Sequence, residues 1–105
     1  MLVGLAVNRW IMANYTVIWD ETLESNYIAA WTKSDSKTRE SLTWIANWLD
    51  HELARDPDVK GFERADIASR VLYVPWPGAK VSIVHRVIPE DRQVIVARFI
   101  FRRWP

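Results

Sequence analysis

Between Tyr15 and Phe101 the apolar positions change period twice, from alternation to helical spacing and back to alternation. Tyr15-Thr16-Val17-Ile18-Trp19 is β-branched and aromatic, and Asp20-Glu21-Thr22 closes it, which predicts a strand followed by a helix capped by Asp20 or Thr22. From there Leu23, Tyr27, Ala30 and Trp31 fall at helical spacing and predict a short helix ending near Trp31. The polar stretch Thr32-Lys33-Ser34-Asp35 breaks the pattern, with Ser34 or Asp35 as the cap of a second helix. In that helix Leu42, Ile45, Ala46, Leu49 and Leu53 form one apolar stripe, and Asp56-Pro57-Asp58 stops it. Trp44 and Trp48 lie off the stripe, since two residues turn a helix by about 200°. They either pack against the first helix or a hydrophobic rim, or form an exposed surface for a partner.

Residues 60–64 read as an irregular connection, after which the chain turns to strands. Arg70–Val74 is the first, closed by Pro75-Trp76-Pro77-Gly78, where two prolines deny the ladder its donors. Val81–Ile88 and Gln93–Phe101 are the next two, joined by the polar turn Pro89-Glu90-Asp91-Arg92 as an antiparallel hairpin. The order β-α-α-β-β-β implies an α+β domain, with the helical hairpin on one face of an antiparallel sheet and the other face open. Strict alternation in the last strand sets Ile95, Ala97, Phe99 and Phe101 toward the helices. It leaves Arg98 on the opposite side, with Val94, Val96 and Ile100.

The N-terminal run Leu2-Val3-Gly4-Leu5-Ala6-Val7 is not a targeting or membrane segment. No basic region precedes it, and Asn8-Arg9-Trp10 interrupts it after six residues. Residues 1–14 are then an upstream extension, or an extra strand or arm over a sheet edge; extension is preferred because the strand signal begins at Tyr15. Residues 15–105 make a single domain, as expected of a 105-residue chain that is 50% hydrophobic and 26% charged. With no cysteine there is no disulfide framework, thiolate site or Cys nucleophile, and a reducing cytoplasm is expected. His51 and His85 are the only histidines, too few for a three-histidine zinc site, so neither metal nor cofactor is expected. The net charge of +1 hides a split: residues 1–59 carry five basic and nine acidic side chains, residues 60–105 nine and four. The basic half suggests a surface that meets an anionic partner.

The order of elements, together with Tyr15–Trp19, the Asp56-Pro57 stop followed by Gly61, Arg70–Val74, Val81–Ile88, Asp91–Val96 and Arg102-Arg103, resembles the RelE/ParE superfamily of bacterial toxin–antitoxin toxins. The resemblance covers roughly Tyr15 to Arg103. It implies a cytoplasmic, growth-inhibiting toxin of the plasmid-stabilisation kind, neutralised by a cognate antitoxin and acting on ribosome-bound mRNA or on DNA gyrase. The chain departs from the family's pattern at Val81-Ser82, where many members have Tyr-Arg, and at His85, where they have a second Tyr. The nuclease residues are therefore only partly present.

Metal-free RNA cleavage needs a proton acceptor for the 2′-hydroxyl, a donor for the leaving 5′-oxygen, and cations for the crowded phosphate. His85 is the side chain type poised near neutral pH, and with Arg70, Arg98 and Arg102 it makes the candidate catalytic set. Lys80, Arg86, Arg98, Arg102 and Arg103 are the candidate contacts to nucleic acid or target, and Trp44 and Trp48 those to a protein partner. The alternative is a non-catalytic module of the same fold that only holds a protein or nucleic acid, with His85 a packed strand residue.

Overall fold

The computed structural model describes residues 15–77 and 79–103, with Arg103 described by its backbone alone. The expectation for residues 1–14 lies outside this set. The elements are β1 (Thr16–Trp19), α1 (Glu21–Lys33), α2 (Ser36–Leu53), β2 (Phe62–Arg64), β3 (Ser69–Val74), β4 (Ala79–Ile88) and β5 (Gln93–Arg103). They form an α+β domain in which the helical hairpin covers one face of a five-stranded sheet of order β1-β5-β4-β3-β2. Three of the four pairings are antiparallel, and β1 runs parallel to β5. No described helix is long and apolar enough to cross a membrane.

Both helices start on carboxylates. The Asp20 side chain accepts the backbone N–H groups of Thr22 and Leu23 at 3.1 and 3.2 Å, and Asp35 accepts that of Thr38 at 2.8 Å. That bond holds the Asp35 carboxyl below the usual carboxylate range. The first helix runs past the expected end at Trp31 to Lys33. Its last carbonyls have a partner: the Arg39 guanidinium donates to Trp31 and Thr32 at 2.9 and 2.7 Å. The hairpin is pinned again where the Tyr27 hydroxyl donates to the Leu42 carbonyl at 2.6 Å. Burial of Tyr27, with the Asp50 charge nearby, pushes its phenol well above the ordinary range.

From α2, Ile45, Leu49 and Leu53 bury their side chains against Val74, Val81, Ile83, Val94 and Val96 of the sheet. Removal of such side chains from water contributes about 1.5–3 kcal/mol each. Of the places the sequence allowed for Trp44 and Trp48, the structure shows a hydrophobic rim. They stack on each other with centroids 6.3 Å apart, and Trp44 leans on Trp76 of the β3–β4 turn at 5.5 Å, rather than on α1.

Two further differences have local causes. Residues 62–64, read as irregular, form an edge strand paired antiparallel with β3. The turn before it depends on Gly61 at φ +69°, where a Cβ would stand 2.0 Å from the Val71 carbonyl oxygen. Strand β5 does not alternate throughout: Val84 pairs with Arg98 but His85 with Val96, so Ala97 is a bulge without a partner. Val94 and Val96 therefore lie in the core, not opposite it, and Ile95 turns away. Beyond the bulge Phe99 returns to the helix side, 5.0 Å from both Trp19 and Tyr27.

Gly61→Ala combines a left-handed backbone with a backbone collision, so we expect a loss of at least about 2 kcal/mol. Urea denaturation measures it, and a loss under about 0.5 kcal/mol would show that the turn relaxes freely.

Candidate functional site

The sheet separates the charged residues of its strands into two sets. On the helix side, His85 is fully buried and its Nε2 lies 3.1 Å from the Pro57 carbonyl oxygen. Its other ring nitrogen, Nδ1, is buried without a hydrogen-bond partner. Arg70 is directly opposite His85 on β3, and its guanidinium donates to the carbonyls of Lys60 and Gly61 at 2.9 and 3.2 Å. Lys60 in turn pairs with Glu52 of α2 at 2.7 Å. These bonds hold the 57–61 turn against the end of α2 and β3. Burial, with Arg70 close by, sets the His85 imidazole below its ordinary pKa, so it is neutral at pH 7.

On the open side, Lys80 and Ser82 of β4 and Arg98 and Arg102 of β5 share one face with Tyr73 of β3 and Phe62 of β2. Together they border a groove of about 420 Å³. The register places Lys80 directly opposite Arg102, and Ser82 between Tyr73 and Ile100. Like charges directly across a ladder repel, yet no carboxylate lines the groove. Of the groove's cations, Arg64 at its β2 wall pairs with a carboxylate, Asp66 at 2.7 Å. The Lys80 ammonium stands 5.0 Å from the Tyr73 ring centroid. Arg86 is exposed on the same strand as Lys80 but outside the groove, and Arg103 ends β5 opposite Ala79.

Of the candidate catalytic set, then, Arg98 and Arg102 come together with Lys80, while His85 and Arg70 stand on the other face of the sheet. Trp44, 43% exposed, and the half-buried Trp48 belong to neither set and stand on α2. Sequence reasoning missed four polar or aromatic groove residues. Phe62 and Arg64 were hidden because residues 60–64 lack alternation; Tyr73 and Ser82 carried a signal, being at the even spacings that put them beside Val71 and Val84.

No protein-family model matches the chain, and no curated protein does. Solved structures do. A chain of the toxin–antitoxin complex RelBE2 from Mycobacterium tuberculosis matches with a TM-score of 0.60 at 19% identity, over 87% of this chain and 94% of that one. An arginine double mutant of the Escherichia coli toxin RelE in the free state matches with a TM-score of 0.53 at 20% identity, over 83% and 81%. The fold is RelE-like. In this RelE-like frame the helices take one face of the sheet and leave the other, with its uncompensated cations, to solvent.

The buried neutral His85 makes a pH prediction. Its folded pKa is depressed, so the unfolded state takes up the proton first and stability falls as pH drops below about 6.5 toward the folded value. Denaturant midpoints taken from about pH 7 to about pH 5.5 should fall in the parent. They should be nearly flat in His85→Gln; an equal slope in both would assign the effect elsewhere.

Proposed function

We propose that this protein is the toxin of a toxin–antitoxin module, acting in the cytoplasm by engaging RNA at the ribosome through the open face of its sheet. One observation carries the reading: Lys80, Arg98 and Arg102 converge on a groove without a carboxylate in its lining. An anionic chain offsets the repulsion between Lys80 and Arg102, and arginine's planar fork matches the paired oxygens of a phosphate. The RelE-like fold and the presence of a toxin–antitoxin complex among its structural neighbours support the toxin assignment. A groove of cations beside exposed rings suits an extended polyanion better than the folded surface of DNA gyrase, which favours RNA as the target. A cognate antitoxin then neutralises the protein, with Trp44 and Trp48 as apolar anchors on the helical side. On this reading His85 and Arg70 maintain the 57–61 turn, and the groove cations meet the target.

A second reading has its own support. The groove lining contains neither histidine nor carboxylate to exchange a proton near pH 7, which favours a module that holds its target without cleaving it. Incubation of the folded chain with translating ribosomes, followed by mapping of mRNA ends, separates the two.

Induced expression without a partner should arrest growth, and Arg98→Ala combined with Arg102→Ala should relieve the arrest. In binding assays the same double variant should lower the slope of log affinity against log salt by about 1.4, two phosphate contacts at about 0.7 each. Normal growth with folded parent protein, or an arrest unaffected by the variant, would overturn the assignment.

A further inference from the structure

We propose that residues 2–7 of this chain seat in a groove beside β1 and close that edge of the sheet, an interaction independent of the RNA-engaging reading. β1 ends the strand order β1-β5-β4-β3-β2, and among the described residues it pairs with β5 alone. The backbone N–H groups of Thr16 and Asp20 donate to the carbonyls of Arg92 and Val96 at 2.9 Å each. Alternation therefore turns those of Val17 and Trp19 to the open edge. Proteins commonly blunt such an edge with lysine, proline, a bulge or a cover. Thr16-Val17-Ile18-Trp19 has no lysine or proline and meets β5 in unbroken register, which favours a cover.

The groove, about 470 Å³, runs between β1, Tyr27 and Ile28 of α1, and Ala46 of α2. Its apolar wall includes Ile28, 58% exposed, and Ile18, 38% exposed. Its charged side chains are two carboxylates, Glu24 and Asp50, and no described cation lines it. An occupant that fits combines an apolar stretch with a positive charge. Leu2-Val3-Gly4-Leu5-Ala6-Val7 supplies the first and Arg9 the second, and residues 1–14 contain no Asp or Glu. The link Asn8–Asn14 reaches about 23 Å when extended, against about 13 Å for the four residues of β1, so it can lay residues 2–7 along the groove. A link that short also holds them at a local concentration on the order of millimolar, which a separate partner must exceed. A second copy fits worse, because a two-fold contact at this edge brings Glu24 and Asp50 of one molecule toward the same carboxylates of the other. Of the two readings of residues 1–14, the groove thus favours an arm over the sheet edge.

The test is the rate at which trypsin cuts after Arg9 in the folded full chain, followed by mass. Arg9 is the only Lys or Arg ahead of Lys33, so its product is unambiguous. The seated segment should be cut at least about tenfold more slowly than a synthetic peptide of residues 1–14. Ile28→Asp and, separately, Glu24→Lys should restore most of the peptide's rate. Both residues are exposed, so neither change opens the core. Ile67→Asp, at an exposed apolar residue beyond β2 at the other end of the sheet, should leave the protection intact. Equal rates for the parent and the peptide overturn the proposal, as does protection that survives both groove variants. Equal acceleration by Ile67→Asp assigns the protection to overall stability and overturns it too. Protection that grows with protein concentration gives the groove to a second copy and overturns the assignment to the chain's own segment.

Discussion

A single unpaired residue, Ala97, decides which way the last strand faces, and both the core and the groove depend on it. Before it, Val94 and Val96 fill the core beneath α2. After it, Phe99 meets Trp19 and Tyr27 under α1, and Arg98 and Arg102 stand on the open side. Without the extra residue, a strand that buried Val94 and Val96 would also bury Arg98 and expel Phe99. A buried unpaired guanidinium is among the most costly errors a core can contain. The bulge lets one strand serve two apolar clusters and still present its cations to solvent.

The helix side uses its polar groups on the backbone, which is why that side is closed to chemistry. Arg70 takes two carbonyls of the 60–61 turn, His85 takes that of Pro57, and Arg39 closes the end of α1. Each of these side chains spends hydrogen bonds on backbone carbonyls of its own scaffold, so removing one loosens a turn or a helix end. The groove cations have no such employment. Arg70 and Arg98 are the same residue type on the same sheet, and the side of the sheet alone separates their roles.

Much of this was legible in the sequence because it rests on local signals. The caps at Asp20 and Asp35, the α2 stripe and the Pro89–Arg92 turn each follow from a few adjacent residues, and their order implied the α+β hairpin-on-sheet arrangement. The rest depended on contacts between distant segments. Strand β2 has no alternation of its own and exists because Gly61 lets the chain approach Val71. The bulge follows from matching β5 to β4, and no window of β5 read by itself contains it. For the same reason the candidate set His85, Arg70, Arg98 and Arg102 looked like one site in sequence, since residues on neighbouring strands share a neighbourhood whichever face they choose.

Net charge says little about such a molecule, because the sheet is also an electrostatic boundary. Asp20, Glu21, Glu24 and Glu40 are exposed on the helices and their approaches, whereas the open face has Lys80, Arg98 and Arg102 without carboxylates between them. On the proposed reading this asymmetry favours the approach of a polyanion to the groove over the helical side. It also sets a cost within the free protein, since Lys80 and Arg102 repel across the ladder until an anion lies between them. On the proposed reading a bound polyanion relieves that repulsion, and screening by salt weakens both the repulsion and the attraction that removes it. Free-state stability and affinity for a polyanion should accordingly respond to ionic strength in opposite directions at this one face, the signature that distinguishes a face built for a charged ligand from a merely basic surface.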